Sequence, residues 1–301
     1  MVLLVRILSS SMKTTEYFTS HKVKAKMFEQ LIPFIHFISF TITSRDGVVS
    51  DCDMILSTFL VLACSAVVTQ NLRYVEVFRD DFSGGIDTRK WNVVDKPSNV
   101  NSEHQYYSRD DVWQEHGFLF LRSRKRWVGG RQYTSGRVDT RYKFDFLYGD
   151  VEWRAKLPKG KGLWPALWMV QKDCPPADPC KTWPPEIDAI EARGDMENRV
   201  SFAVHYGRYP NNHYSTTEFW GPNFTNEFHT FKVTWDPNKI VWFVDGVEKF
   251  RVTDKNQIPK ERMHLIMNVA VGGWYPDGML PDDSSLPAHM IIDYVKVNRW
   301  Q

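Results

Sequence analysis

Net charge is nearly absent from this chain: 38 Lys and Arg against 36 Asp and Glu leave +2 over 301 residues. So even a balance provides no electrostatic footprint for nucleic acid or an anionic membrane surface. Long apolar runs are lacking too. The longest, residues 55–69 (ILSTFLVLACSAVVT), falls short of the roughly twenty residues a membrane helix needs. Residues 70–301 contain no internal repeat, low-complexity tract or long linker, and nothing there has the period of a long amphipathic helix. Cysteine is scarce, with four residues whose spacing suits no standard zinc pattern and no paired His nearby. Helical bundles, repeat arrays and zinc modules are set aside on these grounds.

The short apolar run has the length of a secretion-signal core and ends in small residues, Cys64, Ser65 and Ala66, that suit a signal peptidase. Read from Met54, residues 54–69 form an amino-terminal signal, with a signal anchor as the alternative. Residues 1–53 then read as a spurious or disordered extension from an upstream start, and residues 70–301 as the mature domain. Secretion to the extracellular space follows, without stable membrane association. Cys174 and Cys180 share the loop CPPADPC, and in an oxidising compartment a local disulfide is the default expectation; in a reducing one they are two loop thiols.

What the mature region has instead is strands. Short β-branched and aromatic runs alternate apolar with polar residues, as in His229-Thr-Phe231-Lys-Val233-Thr-Trp235, which places one face on a core. Asp245-Gly246 between two such runs is a hairpin turn signal. About 230 residues of strands and turns predict one all-β sandwich or barrel. Aromatic residues reach 14 %, with twelve Trp, which suits either a Trp-rich core or a cleft where flat rings stack on sugars. Composition leaves both open.

The segment Glu186-Ile-Asp188-Ala-Ile-Glu191 carries the chemistry. On a helix its three acids scatter by about 100° per residue and share no face. On a strand Glu186 and Asp188 point one way and Glu191 the other, unless a β-bulge between Asp188 and Glu191 absorbs one residue and restores it. Three acids then line one face while Ile187, Ala189 and Ile190 meet the core. A solvated acidic face is one reading. The other is glycosidic-bond cleavage with retention, which needs two carboxyls about 5–5.5 Å apart, one ionised and one protonated. Asp188 between them orients Glu186, and its charge raises the proton affinity of Glu191.

EIDAIE resembles the bulged signature of glycoside hydrolase family 16, in its laminarinase-like branch. So do Asn101-Ser-Glu103-His-Gln105-Tyr106-Tyr107, Ser135-Gly136-Arg137, Gly162-Leu-Trp164-Pro-Ala-Leu-Trp168-Met169, His205-Tyr206, Trp235-Asp236-Pro237, Asn268-Val-Ala-Val-Gly272-Gly273 and Ile292-Asp293-Tyr294-Val295, in the family's order over residues 76–299. The resemblance implies a β-jelly-roll sandwich of two curved antiparallel sheets with a concave substrate groove. It implies a secreted, retaining endo-β-1,3-glucanase, a monomer that takes β-glucan and has mixed-linkage glucan as a secondary substrate. Glu186 is the expected nucleophile, Asp188 its helper and Glu191 the acid/base, with no cofactor required. Asn101 and Arg137 match positions bordering substrate. Trp164 is the expected sugar platform and Trp168 a buried ring, Trp183 is a further candidate for the cleft, and His205 resembles the family's histidine near the acid/base, with a core histidine as the alternative. Some members carry a structural Ca2+ on the convex side, and Asp293 is the corresponding residue. Asn223-Phe-Thr225 is an N-glycosylation sequon. A rival reading is a non-catalytic β-1,3-glucan-binding protein on the same fold, though such relatives lack the acids.

Overall fold

Alternation of inward and outward side chains produces eighteen strands among the described residues, 73–173 and 183–300, of the computed structural model. The amino-terminal extension, the secretion signal and all four cysteines, Cys52, Cys64, Cys174 and Cys180, lie outside those residues. In chain order the first nine strands are β1 (Tyr74–Asp80), β2 (Asn92–Val93), β3 (Lys96–Pro97), β4 (Gln105–Tyr107), β5 (Val112–Glu115), β6 (Phe118–Val128), β7 (Arg131–Ser135), β8 (Arg137–Asp139) and β9 (Gly149–Lys156). There follow β10 (Leu163–Gln171), β11 (Glu186–Ala192), β12 (Arg199–Arg208), β13 (Asn211–Trp220), β14 (His229–Asp236), β15 (Lys239–Val244), β16 (Val247–Val252), β17 (Met263–Val271) and β18 (Ala288–Trp300).

Seven strands form one sheet in the order β13-β12-β11-β10-β17-β8-β2. Eleven form the other, β16-β15-β14-β9-β18-β6-β7-β4-β3, with β1 on β18 and β5 on β6. The architecture is the all-β jelly-roll sandwich. One pair departs from an antiparallel scheme: β4 runs parallel to β7, Gln105 opposite Tyr133. The β5–β6 excursion between them is the crossover that a parallel pair needs.

Each strand shows why it sits where it does. β14 alternates as expected, with Phe231, Val233 and Trp235 inward and Thr230, Lys232 and Thr234 outward. Asp245 and Gly246, both at positive φ (49° and 76°), close the β15–β16 hairpin with the backbone that a right-twisted ribbon favours. Between the sheets lies one core that holds Trp91, Trp153, Trp235 and Trp242, all less than 2 % exposed. So much of the Trp excess is core.

One of these indoles does more than fill space. Trp242, on β15 of the eleven-stranded sheet, crosses the core and donates its Nε1–H to the main-chain carbonyl of Asp188 on β11 at 2.7 Å. That carbonyl sits where the β10–β11 and β11–β12 registers both slip.

Asp293, the residue that the resemblance offers to a structural calcium ion, lies on β18. Its carboxylate is paired with the Arg154 guanidinium from β9.

Trp242→Phe keeps most of the ring and removes the donor, leaving a buried carbonyl unpaired. The expected cost is about 1–3 kcal/mol, read as a lower urea midpoint at unchanged m-value.

Candidate active site

The register across the seven-stranded sheet sets out its outer face as a grid. At one level stand Glu186 on β11, Val170 and His264 on β10 and β17, and His205 and Tyr214 on β12 and β13. The next level holds Asp188, Trp168, Ile266 and Asp139, with Ala203 and Thr216 on the other side. A third holds Glu191, Ala166, Asn268 and Arg137, with Ser201 opposite. The acids share this face because the register slips once between Asp188 and Glu191 on both neighbours. Ile187, Ala189 and Ile190 turn into the core, at 2 % exposure or less. The bulge and its consequence are as the sequence predicts.

Each glutamate has an indole for a partner. Trp183 Nε1 donates to Glu186 Oε2 at 3.1 Å, and Trp164 Nε1 to Glu191 Oε1 at 2.9 Å. His205 Nε2 lies 3.3 Å from Asp188 Oδ2 and 3.7 Å from Glu186 Oε1. Burial pushes Glu186 up to about 8, helped by the charges of Asp188 and Glu191 and opposed by His205 and Trp183. Burial does the same to Asp188. Glu191 rises likewise through burial and then the charge of Asp188, against the pull of His205 and Trp164. Three such carboxyls titrate as one coupled unit, so the first charge to form holds protons on the others. The imidazole, nearest Asp188 and next Glu186, favours placing that charge on their side of the triad. An ionised Glu186 and a protonated Glu191 are what a nucleophile and a general acid require.

The surroundings hold these groups still. Trp164 is only 5 % exposed. Its ring stacks on Tyr275 at 5.0 Å and meets the edge of Trp274 at 5.2 Å, which leaves no open face for a sugar. Trp168, expected to be buried, is the more open of the two. Trp164 is covered because residues 272–279 fold over it. That loop is tied down by Arg193, paired with Asp195 and Asp277, and by the Trp274 amide donating to the Asn101 carbonyl. Gly273, at φ +94°, runs so close that a Cβ would lie 2.9 Å from that carbonyl and 3.2 Å from Trp164.

Behind the floor runs a chain of hydrogen bonds. Glu103, buried, accepts from Ser98, Gln105, Tyr107 and Asn101. Tyr107 in turn accepts from Asn268, whose Oδ1 accepts from Trp168 Nε1 at 2.7 Å. Arg137, 7 % exposed, lies over the rings of Tyr107 and Trp168. Asn101 and Arg137 therefore brace the site in this structure. Trp183 packs with Trp168, Val170 and Ile266 as an apolar patch beside the acids. Asn223 lies apart from this site, and its Nδ2 donates to Glu197.

The sequence reading missed Trp274, Tyr275 and Tyr214. Trp274 is 59 % exposed one ring away from the indole that holds Glu191, and Tyr214 is 64 % exposed across from His205. The available signal was weak: an aromatic pair directly after Gly272-Gly273, and an outward position on a strand whose register was unknown.

Comparison with known proteins agrees with this geometry. The model of Glycosyl hydrolases family 16 matches residues 91–296. Glucan endo-1,3-beta-glucosidase A1 of Niallia circulans is 35 % identical over 264 residues, spanning 75 % of this chain but 38 % of that protein. The beta-glucanase of Rhodothermus marinus is 35 % identical over 240 residues, 73 % of this chain and 82 % of that one. The X-ray structure of the laminarinase from Rhodothermus marinus superimposes with a TM-score of 0.69 at 32 % identity, covering 77 % of this chain and all of that one. The chain belongs to glycosyl hydrolase family 16.

Unfolded, the three carboxyls ionise near 3.8 and 4.5, whereas folded the coupled triad is shifted upward, one group losing its proton first and the others holding theirs toward about 8. The native state binds more protons in between, so stability is full below about pH 4 and falls as pH rises toward 8. Urea midpoints should drop between about pH 5 and about pH 8. Asp188→Asn, which removes one buried ionisation, should flatten that drop.

Proposed function

We propose that this chain is a secreted, retaining endo-β-1,3-glucanase that also accepts mixed-linkage β-1,3-1,4-glucan. The observation that carries the reading is the bulged strand presenting Glu186, Asp188 and Glu191 side by side, each glutamate fixed by its own indole. In the first step Glu186 attacks the anomeric carbon while Glu191 gives its proton to the departing glycosidic oxygen. In the second, Glu191 takes a proton from water, which displaces Glu186 and restores the β configuration. The charge of Asp188, held by the bulge between the two, raises the proton affinity of its neighbours and so helps keep the proton on Glu191 until it is needed. No cofactor takes part.

Substrate class follows from the aromatic surfaces and from the relatives, whose names specify endo-1,3-β-glucosidase and β-glucanase action. A pyranose offers an apolar face to an indole, and Trp274 provides an exposed ring beside the indole that holds Glu191, with the partly open Trp168 on the strand next to Asp188. Secretion through residues 54–69, a Cys174–Cys180 disulfide, glycosylation at Asn223 and action as a monomer complete the proposal.

Reducing-end release from β-1,3-glucan tests it. Glu186→Gln and Glu191→Gln should each lower kcat by about 10²-fold or more while the protein still binds glucan. Proton NMR of the first product should show the β anomer, and an α anomer would overturn the retaining mechanism. Trp274→Ala should raise KM for long glucan several-fold with kcat little changed, an effect shrinking on short oligosaccharides.

A further inference from the structure

The three groups nearest the reacting position have an arrangement that glycoside cleavage alone does not require. Glu186, Asp188 and His205 each bring one donor atom within 4.8 Å of the other two, and the imidazole Nε2 lies 3.3 Å from Asp188 Oδ2 and 3.7 Å from Glu186 Oε1. Bonds of about 2.0–2.1 Å in a tetrahedron set ligand atoms about 3.3 Å apart. Each donor atom is also available. Trp183 takes the other oxygen of Glu186. Asp188 Oδ2 receives no hydrogen bond, although its side chain is only 4 % exposed. A buried carboxylate oxygen without a donor, aimed at an imidazole, is a costly arrangement unless something visits it.

We propose that Glu186, Asp188 and His205 form a binding site for one divalent transition-metal ion of the zinc class, which blocks the site when bound. Two carboxylate oxygens and one imidazole nitrogen suit Zn2+ or Cu2+, whereas Ca2+ and Mg2+ want more oxygens than the site offers. A fourth coordination position is left toward solvent, because the side chains of Glu186 and His205 keep 17 % and 20 % of their surface exposed. An ion so placed occupies the nucleophile and competes with glucan. Metal binding needs only the geometry; its inhibitory effect rests on the function proposed above.

Calorimetric titration of the purified protein with Zn2+ alone tests the site without any activity readout. One ion per chain is expected at the three-donor site, and neither Ca2+ nor Mg2+ should displace it. Dissociation constants for that ion should rise at least about tenfold in His205→Gln and in Asp188→Asn, each checked for folding by circular dichroism. Zinc held by the cysteines would persist in both variants. Binding that both folded variants leave unchanged, or no binding by the wild-type protein, overturns the proposal. A β-1,3-gluco-oligosaccharide should weaken zinc binding in the wild type. If the variants lose the ion but the oligosaccharide has no effect, the metal site stands and the glucan reading fails.

Discussion

A single buried hydrogen bond, from the Trp242 indole to the carbonyl of Asp188, ties the kink in the acid-bearing strand to the opposite sheet. A bulge leaves part of the ladder unmade, and a main-chain carbonyl without a partner inside a protein is expensive. Here the missing partner arrives from across the core, on a residue with no exposed surface. The kink is therefore held from both sides: by registers that slip in concert on β10 and β12, and by an indole from beneath. Everything above that point, from the common face of the acids to the reach of their indole partners, inherits its geometry.

Holding three carboxyls on one dry face has an electrostatic consequence that the scaffold manages with few charges. Four donors satisfy Glu103 farther back, so that the floor is rigid without bringing another cation to the acids. Near the acids the scaffold supplies indole N–H groups and one imidazole. Neutral donors fix orientation while leaving proton affinity high, and the imidazole biases where the first negative charge settles. An arginine in the place of Trp164 would hold Glu191 as firmly and strip it of the proton it has to deliver.

The strand pattern, the Asp245-Gly246 hairpin and the bulge in EIDAIE were legible because each is a local matter of period, turn chemistry or residue count. The relation between Trp164 and Trp168 was not. Both have the same parity on β10, and which one is covered depends on a loop more than a hundred residues later. Asp293 likewise gave no hint of its partner, since Arg154 lies on a strand that pairs with it only after the sheet has formed. The Trp242 donor was invisible for the same reason: an indole in a strand pattern reads as core, and its N–H finds a use only across the sandwich. Local grammar reveals where the acids stand; long-range packing decides what stands beside them.

β1 and β18 carry a kinetic implication. The first strand of the sandwich pairs with the last, Tyr74 opposite Trp300 and Asp80 opposite Val295. During synthesis β1 thus waits for more than two hundred residues to emerge before its ladder can close. Contacts of such sequence separation slow folding and leave a sticky ribbon open to neighbours meanwhile. Charged residues on and just after that strand, Glu76, Arg79 and Asp81, keep its outer side polar and pair with one another in the folded protein.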